Sequence, residues 1–108
     1  MKSRSDLSQM ARIEVVVSGA DAPAVREIFK ATGATGFTSV SGVSGLGHGG
    51  YHQGRLLFND QATLEMLITV VPAEKVDALV AGLRPLLDES SGVMFLSDTF
   101  VSRPDYFT

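Results

Sequence analysis

Cysteine is absent from the 108 residues, which excludes disulfides, thiolate metal sites, iron–sulfur clusters and cysteine nucleophiles together. A basic surplus is absent too. The 9 Lys and Arg against 12 Asp and Glu leave a formal charge of −3, so the field that draws a protein onto a phosphate backbone is missing and nucleic acid is not an expected partner. No apolar run approaches the roughly 20 residues that cross a bilayer. Met1 to Ala11 also lacks the apolar centre of a secretion signal, so a cytoplasmic protein is expected. Histidine is scarce, no serine lies in a G-x-S-x-G setting, and the glutamates at 14, 27, 65, 74 and 89 are scattered along the chain. With no catalytic residue in view, the expectation is a binding or regulatory module, not an enzyme.

What is present fits one domain, with 44% of residues apolar and 19% charged. Residues 1–11 are polar enough to predict a flexible N-terminal tail, and a single domain is expected over 12–108. In the run from Arg12, Ile13, Val15 and Val17 alternate with Arg12, Glu14 and Val16, which is the period of a strand. Asp21 as N-cap and Pro23 in the first turn introduce Val25, Ile28, Phe29 and Thr32 at helical spacing, predicting a helix over 22–32 that stops at Gly33.

Phe37, Thr38 and Val40 predict a second strand over 36–43. A third is predicted over 62–71, where Leu64, Met66, Ile68 and Val70 face one way and Leu67 and Val71 the other. Such a strand needs cover on both sides, from helices or from another subunit. Pro72 opens a second helix with Val76, Leu79, Val80, Leu83 and Leu87 on one face, which Pro85 should kink or end. Residues 93–96 form a fourth strand, and 98–102 a candidate short fifth. The sum is an α+β, ferredoxin-like βαββαβ sandwich with a long glycine-rich loop between its second and third strands.

That loop carries glycines at 42, 45, 47, 49, 50 and 54. It contains G-x-G-x-x-G at 45–50, but YHQGRLLF follows without helical amphipathicity, so no helix N-terminus is there to meet a pyrophosphate. Two readings remain: glycine amides that approach an anion closely, or a merely flexible connection. His48 and His52 are either solvated loop residues or two ligands of a metal site that would recruit Glu65 or Asp60. Arg55 and Arg103 are the cations placed to meet an anion beside the loop, or ordinary surface charges. Thr38 is either a base-recognising hydroxyl or a plain strand residue.

The segment GATGFTSVSGVSGLG resembles the second strand and loop base of the PII signalling proteins, whose pattern runs close to G-x-T-G-M-T-x-x-x-V-x-G-x-G. Gly33, Thr35, Gly36, Thr38, Val43, Gly45 and Gly47 are the matching residues. ITVVPAEKVDALV is similar to the family's third strand and second helix, with VVP followed by Val76 and Asp77. The resemblance runs from about Arg12 to Arg103.

It implies a homotrimer whose inter-subunit clefts bind adenine nucleotide, with the long loop reporting the ligand state to a target. Carried over by position, Gly45, Leu46 and Gly47 line the phosphate side. Gly36, Phe37 and Thr38 of a neighbouring subunit meet the base. Ser91, Gly92, Val93 and Met94 form a second nucleotide loop, and Arg103 is a phosphate-binding arginine. The segment SSGVMF has no lysine to neutralise a γ-phosphate, which favours ADP or AMP over ATP. Gly49 stands where the family has a glutamine for magnesium and 2-oxoglutarate. The pattern is closest to the PII-like proteins of carboxysomes and inorganic-carbon uptake, which implies bicarbonate as second ligand, held by Arg55 or Arg103, and a membrane bicarbonate transporter as target. No metal or other cofactor is implied. The alternative is a metal-binding trimeric ferredoxin-like protein of the copper-tolerance type that uses His48 and His52. An acylphosphatase-like enzyme would need an anion-cradling loop after the first strand, where Asp21 instead brings a negative charge.

Overall fold

The computed structural model describes residues 3, 4, 6–44, 46, 47, 50, 51 and 63–108. Among these residues seven strands and two α-helices follow in chain order: β1 Ser3–Arg4, β2 Leu7–Ser18, α1 Ala22–Ala31, β3 Thr38–Val43, β4 Leu46–Gly47, β5 Gly50–Tyr51, β6 Leu64–Val71, α2 Val76–Asp88 and β7 Val93–Val101. The main sheet is antiparallel and runs β7–β2–β6–β3, with β1 against the first residues of β2. This is the ferredoxin-like βαββαβ arrangement expected from the sequence. β4 and β5 pair separately as a small ribbon.

Alternation decides which face of the sheet is covered. Ile13, Val15 and Val17 of β2 and Leu67 and Val71 of β6 are buried under Ala22, Val25 and Phe29 of α1 and Leu79 and Leu83 of α2. The intervening residues Leu64, Met66, Ile68 and Val70 are only half-buried. Register puts Val16, Val40, Val93 and Phe95 on this same face, which no described helix covers, and the last three are exposed. Among the described residues the doubly apolar third strand therefore has helices on one side only.

Several boundaries differ from the sequence reading. β2 begins at Leu7, ahead of the strand start expected at Arg12, because Met10 and Ala11 are buried and the strand continues its pairing with β7 back to Ser8. Asp21 stands at the helix start, but its carboxylate accepts the Ser18 hydroxyl at 3.3 Å and caps no helix amide. After Pro72 comes a 3-10 turn, Ala73–Lys75, before α2. Pro85 lies inside the last turn of α2 without ending it, since Leu86 and Leu87 still pack against the core. The proposed short fifth strand is the second half of a continuous β7.

Two glycines shape the segment that leads to the candidate site. At the end of α1, Gly33 takes a φ of 98°, and the amides of Gly33 and Ala34 donate to the carbonyls of Lys30 and Phe29, which closes the helix and turns the chain back toward the sheet. Lys75 Nζ donates to the Gly33 carbonyl at 2.7 Å and ties this turn to the start of α2. Gly42 has a φ of 75° and sits at a bulge in β3, between Ser41 opposite Glu65 and Val43 opposite Leu64. Counted along the PII pattern, Val43, Gly45 and Gly47 stand one place later than an ungapped match allows. The bulge falls between the two parts of that match, after Thr38 and before Val43. Among the described residues no helix is long and apolar enough to cross a membrane.

Candidate functional site

Among the described residues β3 is an edge strand, and its beginning forms one wall of a cleft of about 380 Å³ lined by residues 35–38, 68–70, 106 and 107. Three interactions hold that wall. Thr69, buried on the helix side of β6, donates its hydroxyl to the Gly36 carbonyl at 2.6 Å. Phe37 lies 6.1 Å from Phe29, centroid to centroid at 53°, and the Arg26 guanidinium stands 6.0 Å from the Phe37 ring. Arg26 is itself held by Glu65. Strand alternation sends Phe37 to the helix side and leaves Thr38 on the opposite face beside Ile68, exposed and, among the described residues, without a partner that would keep its hydroxyl from a ligand.

The far wall comes from the C-terminus. Pro104–Phe107 forms a 3-10 turn beyond β7, and the Thr35 hydroxyl donates to the Tyr106 carbonyl at 2.8 Å. This contact brings the end of the chain from β7, at one edge of the sheet, to the start of β3 at the other. Arg103 arrives with it, exposed, its Nη1 donating to the Tyr106 hydroxyl at 2.7 Å. Among the described residues Arg103 has no carboxylate within ion-pair distance, whereas Arg12 and Arg26 each have a glutamate.

Of the residues singled out by sequence, Gly36, Phe37 and Thr38 thus share a cleft with the turn that follows Arg103. Ser91, Gly92, Val93 and Met94 stand at the start of β7, across the sheet. Three strand spacings, roughly 14 Å, separate the two edges. Met94 packs against the core and Val93 lies on the face that no described helix covers, while Gly92 is tucked against Val17, Leu87 and the Val16 backbone. Leu46 and Gly47 form β4, the backbone ribbon that follows β3. Gly45, Arg55, His48, His52 and Asp60 lie outside the described residues. Glu65, the third ligand considered for a histidine metal site, is committed to Arg26.

Ile68, Thr69, Val70, Tyr106 and Phe107 were not legible as site residues. Only the register, Thr38 opposite Ile68, reveals the first three, and only the Thr35 to Tyr106 contact reveals the last two.

A family model for nitrogen regulatory protein P-II matches residues 10–106. This chain belongs to the P-II family. Among solved structures of the family, CPII, a nitrogen regulatory PII-like protein from Thiomonas intermedia K12, bound to ADP, AMP and bicarbonate, is 35% identical, with a TM-score of 0.85 over 94% of this chain and 95% of that one. A second CPII structure, bound to ADP and bicarbonate, is 32% identical, with a TM-score of 0.83 over 94% and 97%. A PII-like signalling protein from Thermus thermophilus shares the fold at 16% identity, with a TM-score of 0.78 over 95% and 99%. No curated protein matches the chain.

Proposed function

We propose that this P-II protein is a regulator, not an enzyme, that binds ADP or AMP together with bicarbonate in clefts between the copies of a homotrimer. Its glycine-rich segment then carries the ligand state to a membrane bicarbonate transporter, within the carbon-concentrating and carboxysome setting that the sequence pattern implies. The observation that carries the reading is the division of the predicted nucleotide residues between two sheet edges. Gly36, Phe37 and Thr38 belong to the β3 edge, where Tyr106 joins them and holds Arg103, and Ser91 to Met94 belong to the β7 edge, so a ligand that touches both sets needs two copies of the chain. CPII, with ADP, AMP and bicarbonate bound, supports the choice of ligands.

Physical chemistry supports the same reading. A half-buried apolar face with exposed Val40, Val93 and Phe95 is stabilised when a second copy covers it. Bicarbonate is a planar anion that suits backbone amides and a guanidinium fork, which Arg103 or Arg55 can offer. The adenine fits the apolar cleft beside Thr38, whose hydroxyl can donate to or accept from a base edge.

Sedimentation equilibrium tests the assembly. The expected mass is that of three 11.5-kDa chains. A single chain would contradict a shared site.

A further inference from the structure

We propose that Tyr106 is a positioning residue that holds Arg103 ready for the nucleotide's phosphates and couples that arginine to the base cleft; this rests on the nucleotide reading above. The inference starts from a difference among the arginines. Arg12 and Arg26 are paired with Glu14 and Glu65, which offset their charge. Arg103 is instead held by a neutral group, with Nη1 on the Tyr106 hydroxyl at 2.7 Å and the guanidinium carbon 5.3 Å from the centre of the Tyr106 ring. A phenol restrains the side chain but leaves its positive charge uncompensated. An exposed arginine otherwise samples many rotamers, and restraining it before an anion arrives removes part of the ordering that binding would require.

The backbone completes the arrangement. The Tyr106 amide donates to the Arg103 carbonyl at 3.1 Å, so the turn fixes the two residues relative to each other. The Tyr106 carbonyl accepts the Thr35 hydroxyl at 2.8 Å, so the turn is anchored beside Gly36, Phe37 and Thr38. Tyr106 therefore touches the base cleft with its main chain and Arg103 with its side chain. Removing only its hydroxyl separates the two roles: the main chain stays anchored in the cleft wall through Thr35 and the hydrogen bond that holds Arg103 is lost.

The test is a double-mutant cycle read by calorimetric titration with ADP and, in parallel, with adenosine, which lacks phosphate. Tyr106→Phe is expected to weaken ADP binding about 2- to 10-fold and to leave adenosine binding unchanged. In the Arg103→Ala background the same substitution is expected to have no further effect on ADP. Equal weakening of ADP and adenosine would overturn the inference in favour of a plain cleft wall. So would wild-type affinity in Tyr106→Phe, or a full effect of that substitution without Arg103. If the wild-type protein bound no ADP, the nucleotide reading itself would fall, which is a different result from wild-type binding that Tyr106→Phe leaves intact.

Discussion

Gly92→Ala is expected to destabilise the protein by about 1 to 3 kcal/mol, the usual range for overpacking a filled interior. A Cβ at Gly92 would stand 2.6 Å from Cγ1 of Val17, 3.1 Å from Cδ2 of Leu87 and 3.1 Å from the Val16 carbonyl oxygen. Val17 is buried and β-branched, so it has no free rotamer to retreat into, and the carbonyl belongs to the central strand of the sheet. The loop from α2 to β7 must move instead. For a domain near this size the loss corresponds to a fall in melting temperature of about 4 to 8 °C for each kcal/mol. Thermal unfolding without ligand measures it. An unchanged melting temperature accompanied by lost ADP binding would show that the space beside Gly92 serves the ligand and not the core.

The second large effect is on binding. Arg103→Ala is expected to weaken ADP by about 1.5 to 3 kcal/mol, the range for hydrogen bonds to charged groups, which is a loss of roughly tenfold or more in affinity. The side chain is exposed and its one side-chain hydrogen bond among the described residues is to a neutral phenol, so stability without ligand should shift by no more than about 0.5 kcal/mol. Titration of the variant with ADP beside a thermal melt separates the two quantities. Unchanged affinity would make Arg103 a surface charge and leave the phosphates to other groups. Part of the wild-type attraction is Coulombic and should fade with added salt, while the variant should show a shallower salt dependence.

Much of the fold was legible because its signals are local. Ile13, Val15 and Val17 alternate, and Val76, Leu79 and Leu83 recur at helical spacing, and the two covered layers follow from those periods. The apolar second face of β6 was legible as well, though not what lies against it. Other features depend on pairs distant in the chain. Arg26 meets Glu65 39 positions away and Thr35 meets Tyr106 71 positions away. No local period encodes such contacts. The strand start at Leu7 was obscured because Ser8 and Gln9 are polar, while the burial of Met10 and Ala11 depends on β2 continuing between its neighbours. Pro85 does not end α2, since the packing of Leu86 and Leu87 outweighs one missing helix hydrogen bond.

The candidate site divides along the same line. Gly36, Phe37 and Thr38 could be singled out because their motif is contiguous. Ile68 and Val70 could not, because identifying them needs the register of β3 on β6. The glycine motif itself hides a one-residue irregularity, and the bulge at Gly42, with its positive φ, falls between the motif's two parts.

Calorimetric titration of the wild-type protein with ADP and AMP, each with and without bicarbonate, tests the central claim most directly. Micromolar nucleotide binding strengthened by bicarbonate is predicted, with bicarbonate binding strengthened by the same factor when nucleotide is present. Absence of nucleotide binding, or nucleotide binding indifferent to bicarbonate, would contradict it.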